Sequence, residues 1–302
     1  MTVAAQKVEE TGAKGAKGKG KAKDAEPKAE GYEDPPMTIW EHLAELRKRL
    51  IISIVVLLIT GAVAWEFRET LLAFMVKPYV DAWRDNGVPG EPMLHFQTPA
   101  AAFLAYFKLS LLGGAVFAAP IIFWQIWAFV APGLYSREKK WVIPFALSST
   151  GLFIGGGYFG WKIAFPLAFK YLLGMGGNLT EILLPLDVEL SVTPTVMMGD
   201  YIDFVTRMLL GFGLIFEIPL FIFFLSVAGL VNYLQLIRFG RWYVVVAFLV
   251  AAILTPPDAS SQVMMAVPML LLYVLSIGLA YVFGKPPTDA QRAAYRAAKK
   301  KS

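Results

Sequence analysis

Glu217 is the costliest residue in this chain to account for. It stands in Phe212-Gly213-Leu214-Ile215-Phe216-Glu217-Ile218-Pro219-Leu220-Phe221, which is otherwise apolar, and an ionised carboxylate there is expensive unless paired or hydrated. Pro219 has no N–H, so the carbonyl of Ile215 loses its helical donor. Two uses fit: a protonated carboxyl hydrogen-bonded to a neighbouring helix, or a carboxyl lining a wet concavity used by a substrate. Arg207 lies ten residues earlier, roughly 15 Å along a helix, too far to be a direct partner. It either snorkels outward or pairs with Asp203, one turn back. Lys108, near the outer end of another apolar segment, can snorkel as well.

Glu45 lies in Trp40-Glu41-His42-Leu43-Ala44-Glu45-Leu46-Arg47-Lys48-Arg49-Leu50, where a polar tail turns into a long apolar run. As a helix, this stretch puts Leu43, Leu46 and Leu50 on one face and Glu45 with Arg49 on another at i,i+4 spacing. By itself it reads as an interfacial helix start. Its Glu45–Arg49 pair is then a surface salt bridge worth about 0.3–0.5 kcal/mol, and Arg47, Lys48 and Arg49 anchor it among lipid headgroups. Glu138, between Arg137 and Lys139, reads by itself as a solvated loop charge. Thr255, Asp258 and Gln262 form a polar group in Thr255-Pro256-Pro257-Asp258-Ala259-Ser260-Ser261-Gln262. Asp258 suits an ordinary turn, and the group is also available to hydrogen-bond another helix.

The composition excludes most other chemistry. Of 302 residues, 57% are hydrophobic and 17% charged, with mean hydropathy +0.55, against about 25% charged in soluble domains. This is the balance of a polytopic membrane protein. There is no cysteine, which removes disulfides, thiolate metal sites and cysteine nucleophiles, and His42 and His95 are the only histidines. No HExxH, GxSxG or GxxxxGK[ST] pattern is present, so no catalytic residue, metal or cofactor is expected. The net charge of +5 and pI near 9.2 come from basic residues at tails and segment ends, without the aromatic interleaving of a nucleic-acid surface. No nucleic-acid partner is expected.

The elements that must position these groups follow from hydropathy. Residues 1–36 are rich in Ala, Gly, Lys, Glu and Pro, a composition that cannot offset the entropy of ordering, so a disordered lysine-rich tail is expected. It lacks a compact apolar region with a small-residue cleavage site, so it is expected to be retained. Spans are expected at about 46–65, 102–131, 141–169, 197–226, 239–254 and 263–283, within a membrane domain 37–284, and 285–302 as a basic tail. Between the first two spans, Glu69–Arg84 suggests a short helix broken near Pro78 in an extramembrane cap. Pro120 predicts a bend in the second span, and Gly155, Gly156 and Gly157 allow close approach or bending in the third. Residues 170–196 form a second outer segment. The apolar stretch Trp242–Leu254, at about 20 Å, is short against a hydrocarbon core of about 30 Å. The tip that follows it must therefore thin the bilayer or lie in wet, protein-lined surroundings.

Topology follows from the basic residues. Residues 1–49, 132–141, 227–241 and 284–302 hold 21 lysines and arginines; 66–101, 170–196 and 255–262 hold 4. Six spans with both termini cytoplasmic satisfy that asymmetry.

Four stretches, His42–Leu50, Trp127–Tyr135 with Glu138 behind it, Phe216-Glu217-Ile218-Pro219, and Leu254–Asp258 with Gln262, resemble the bacterial TatC proteins, the multi-span subunits of the twin-arginine translocase. The resemblance covers about 37–284 in order and spacing and leaves out the amino-terminal tail. It implies an all-α, six-span protein with a concave, cup-like face in the bacterial cytoplasmic (inner) membrane. It further implies a receptor for twin-arginine signal peptides of folded proteins, assembled in several copies with the single-span subunits TatA and TatB and using the proton-motive force. Carried over residue by residue, Glu45 and Glu138 would meet the arginine pair, supported by Arg47 and Arg49. Phe129 and Tyr135 would belong to the signal-binding surface, Pro78 and Glu217 to the concave face, and Thr255, Asp258 and Gln262 to a contact with a partner's helix. The alternative from another class is a proton-coupled secondary transporter built on Glu217, although no internal repeat favours it.

Overall fold

The computed structural model describes residues 39–130, 142–183, 194–255, 259–289 and 291–292. Met37–Ser302 form one compact unit and Met1–Pro36 another, which lies outside the described residues. The described part is all-α apart from one short parallel pairing of β1 (Leu94–His95) with β2 (Val196–Met197). Six helical segments are long and apolar enough to cross a membrane: Ile39–Glu66, Pro99–Val130, Val142–Met175, Met198–Ala228, Tyr233–Leu254 and Ala259–Phe283. The protein is therefore a multi-pass membrane protein.

The first two spans, α1 (Ile39–Glu66) and α3 (Pro99–Val130), cross at glycines. A Cβ built on Gly114 would lie 2.5 Å from the backbone nitrogen of Gly61, so the two backbones touch there. Close approach lets Thr60 Oγ1 donate to the Gly114 carbonyl at 2.9 Å across the interface. Small residues let helices gain packing in lipid, where apolar burial gives no drive. Helix α3 continues unbroken through Pro120.

Between these spans, α2 (Arg68–Asp85) also runs unbroken through its proline. This corrects the expectation of a break near Pro78. The ring is buried, and the carbonyl that it leaves without a helical donor, that of Phe74, accepts the Trp161 indole N–H at 3.0 Å. Phe74 and Trp161 also stack at 4.3 Å. One residue on, the Met75 carbonyl accepts the Tyr201 hydroxyl at 2.7 Å. The freed acceptor is met by a neighbouring segment, so the helix need not end. Tyr79 follows, fully buried among Trp83, Phe169 and Tyr201, and burial pushes its hydroxyl pKa up.

The third span is α4 (Val142–Phe159), one π turn at Gly160–Ala164, and α5 (Phe165–Leu183). The π turn carries Trp161 to α2. Of the Gly155–Gly157 run, Gly156 makes the close approach: a Cβ there would meet the Phe212 carbonyl at 2.5 Å, whereas one on Gly155 would meet nothing within 4 Å.

The fourth span divides at Glu217 into α6 (Met198–Phe216) and α7 (Ile218–Ala228), with Pro219 in the first turn of α7, where its missing N–H costs nothing. Near the other end of α6, Lys108 of α3 reaches Asp203 at 2.6 Å. Asp203 is thus paired across helices rather than with Arg207, which is exposed. Gly229 ends α7 in the left-handed conformation at φ 81°, and Lys285 Nζ donates to the last carbonyl, Ala228, at 3.1 Å.

Helix α8 (Tyr233–Leu254) starts earlier than expected, because Asn232 and Gln235 form a reciprocal capping box. Its 22 residues give about 33 Å, although the apolar part remains Trp242–Leu254. It pairs with α9 (Ala259–Phe283) through the stacked rings of Tyr243 and Tyr273, 3.9 Å apart. The Tyr273 hydroxyl donates to the Leu236 carbonyl at 2.8 Å.

Candidate functional site

The polar face of α1 turns inward at its amino-terminal end. Leu43, Leu46 and Leu50 are exposed, while His42, Glu45 and Arg49 are partly buried. This is the reverse of a soluble amphipathic helix. In a membrane the apolar face meets lipid and the polar face seeks protein partners. Arg49 Nε and Nη2 both donate to Glu45 Oε1, at 2.9 and 2.6 Å, and Nη1 donates to Gln125 Oε1 of α3 at 3.2 Å. The pair is therefore a bridge between spans and not a surface salt bridge. Next to it, the His42 ring stacks on Phe129 at 4.2 Å.

Glu45 divides its two oxygens. Oε1 is held by Arg49, whereas Oε2 is buried with no hydrogen-bond partner among the described residues. A carboxylate can accept about four hydrogen bonds, so half of this one is open. Arg47 is exposed, on the far side of the helix from Glu45, so only Arg49 of the two expected supports holds it. Tyr135 and Glu138 lie outside the described residues. Gln125 was not anticipated, yet it is a lone amide in Ile121-Ile122-Phe123-Trp124-Gln125-Ile126, one turn before Phe129.

A second polar group surrounds the break in the fourth span. Trp127 Nε1 donates to Ser149 Oγ at 2.8 Å, and the Ser149 hydroxyl faces the Glu217 carboxyl. Glu217 is half-buried, and its Oε1 has no partner among the described residues. Trp127 is fixed by Phe145, stacked at 4.7 Å, and by Phe224, edge-on at 5.1 Å. Thus the residue two before Phe129 is clamped to the helices that carry Ser149 and Glu217. Ser149 and Trp127 are thus the polar side chains gathered at the break beside Glu217.

An apolar cavity of about 290 Å³ lies between α2, α3, α4 and α6, walled by Phe74, Met75, Phe117, Phe153, Trp161 and Leu209 among others. Residues of the Pro78 turn border it, but Glu217 does not. At the α8–α9 tip, Thr255 is buried and its hydroxyl donates to the Ala251 carbonyl of its own helix at 2.8 Å. Gln262 is half-buried, and Asp258 lies outside the described residues. Among the described residues, no group of acidic, histidine or cysteine side chains could hold a metal ion.

The family model for Sec-independent protein translocase protein (TatC) matches residues 41–268. The chain belongs to the TatC family. A TatC protein of Aquifex aeolicus is 37% identical over 257 residues, 85% of this chain and all of the relative. One of Koribacter versatilis is 35% identical, covering 82% of this chain and 86% of the relative. A crystal structure of the twin arginine translocase receptor TatC is 38% identical with a TM-score of 0.69, covering 80% of this chain and all of that one. Membership of the TatC family makes the protein a component of the twin-arginine translocase, and sets aside the reading as a solute transporter built on Glu217. TatC is a protein translocase component and not an enzyme family.

Proposed function

We propose that the protein is the receptor and core component of a twin-arginine export machinery in the cytoplasmic membrane of a bacterium. It binds twin-arginine signal peptides of folded proteins at the cytoplasmic face and nucleates a translocation complex with TatA and TatB. The observation that carries this reading is the half-open carboxylate of Glu45, buried at Oε2 beside the His42–Phe129 stack. A guanidinium presents a planar fork that a carboxylate accepts bidentately and that lysine cannot reproduce. An incoming arginine would complete Oε2 and compete with Arg49 for Oε1. Glu138, in the segment after α3, supplies the second carboxylate, with Tyr135 and Phe129 against the flanking side chains. The 21 to 4 distribution of basic residues supports a cytoplasmic position for this end of α1 and for both termini. The solved relative described as a receptor supports the same role. Thr255, Asp258 and Gln262 form the contact for a partner's helix, and because the Thr255 hydroxyl proton is already given to Ala251, Thr255 would serve there as an acceptor.

The test is binding of the purified protein to a peptide with Arg-Arg before a moderately apolar run and to its Lys-Lys counterpart. Lysine should weaken binding about tenfold or more, and Glu45→Gln with Glu138→Gln should remove the difference. Equal binding of the two peptides by the parent protein would mean that bulk charge or hydrophobicity is read, and would overturn the proposal.

A further inference from the structure

Two arginines in the second and third turns of α8 have no role in the receptor reading. Arg238 and Arg241 are three residues apart, so they share a helix face, and both border a cleft of about 570 Å³ with Gln235, Phe239, Trp242 and, from the end of α7, Leu230. Three other cations of the fold are occupied: Arg49 by Glu45 and Gln125, Lys108 by Asp203, and Lys285 by the Ala228 carbonyl. Among the described residues, Arg238 and Arg241 form no ion pair or hydrogen bond, and both are exposed.

We propose that this cleft binds the headgroup of an anionic phospholipid, its phosphate held by the guanidinium groups of Arg238 and Arg241. Two planar forks on one face suit a phosphate, which each can bind bidentately. The depth fits, because Trp242, 63% exposed, opens the apolar run to Leu254, and tryptophan at the end of such a run sits at the headgroup level. The arginines therefore stand where the hydrocarbon ends. The remaining wall also fits a lipid better than a free anion: Leu230 and Phe239 are exposed apolar surface beside the charges, suited to a glycerol backbone and the first methylenes of its chains. The cleft is preformed, since the Asn232–Gln235 capping box fixes the start of α8 and the Lys285 bond fixes the end of α7. The inference rests only on the membrane character of the protein, and its test can fail while signal-peptide binding stands.

The full chain in a neutral detergent is titrated with phosphatidylglycerol and with phosphatidylcholine of the same chains, and bound lipid is counted by native mass spectrometry. The parent should prefer phosphatidylglycerol by about tenfold or more, given two arginines at the membrane surface. Arg238→Gln with Arg241→Gln should abolish the preference, each single change should remove part of it, and Arg84→Gln, on α2, which removes as much charge as either single change, should keep all of it. No preference in the parent, or its persistence in the double variant, would overturn the proposal. Displacement of phosphatidylglycerol by inorganic phosphate or by an acidic peptide at equal or lower concentration would assign the cleft to that ligand instead, and would overturn it equally.

Discussion

A proline inside a helix leaves one carbonyl without a donor, and in α2 that carbonyl joins two segments. The Phe74 carbonyl accepts the Trp161 indole N–H, so the bond that Pro78 forbids within the helix is made between helices. Trp161→Phe, which keeps the ring stack but removes the donor, should destabilise the protein by about 1 kcal/mol, measured by reversible unfolding in mixed micelles. In a Pro78→Ala background the helix regains its own N–H, and the same change should cost close to nothing. Equal costs in the two backgrounds would show that the bond does not depend on the proline. Glu45 likewise keeps a single buried acceptor, Oε2, without a partner among the described residues. Gln125→Leu should leave Glu45–Arg49 intact but free Arg49 from α3, raising the apparent Kd for an Arg-Arg peptide a few-fold in the binding assay.

At the level of elements, glycine placement decides how the helices meet. Helix α1 is exposed along most of its length, so its attachment depends on the contact of Gly61 with Gly114 and the Thr60 bond. Gly114→Ala would put a Cβ 2.5 Å from the Gly61 nitrogen, a backbone atom that cannot rotate away. It should cost about 1–3 kcal/mol and lower Tm in detergent, and the separation should also weaken Arg49–Gln125. Gly155→Ala, with open space around the new methyl and better helix propensity, should leave Tm unchanged or raise it slightly. A proline or glycine is thus informative only with its neighbour across the interface. Pro219 falls in the first turn of a helix and coincides with a break, whereas Pro78 and Pro120 lie within helices that continue.

For the whole molecule, the distribution of lysine and arginine makes a prediction about sidedness. The chain contains no cysteine, so single replacements report without background. Glu91→Cys, exposed before β1, should react with a membrane-impermeant maleimide in intact spheroplasts. Arg292→Cys should react only after permeabilisation. Labelling of both from outside would invert the topology and move the Glu45 site to the wrong face for a receptor of cytoplasmic cargo.

Span number and all-α class are written in composition, because an apolar core of about 30 Å selects long apolar helices; the sidedness expected from the basic residues is what the maleimide labelling tests. The Glu45–Arg49 pairing was equally legible, since i,i+4 spacing is local. What faced that pair was not: by itself the sequence reads Glu45–Arg49 as a surface salt bridge, and only packing against α3 shows the polar face turned inward to Gln125 and Phe129. The donor that meets the carbonyl freed by Pro78 lies 83 residues away, at Trp161, which no local rule can see. The partner of Asp203 was similarly decided by a lysine on another helix. Local spacing determines which residues share a face; the tertiary structure determines what that face meets, and in a membrane, with no water to satisfy a stranded polar group, that meeting decides whether a residue is a surface charge or part of a site.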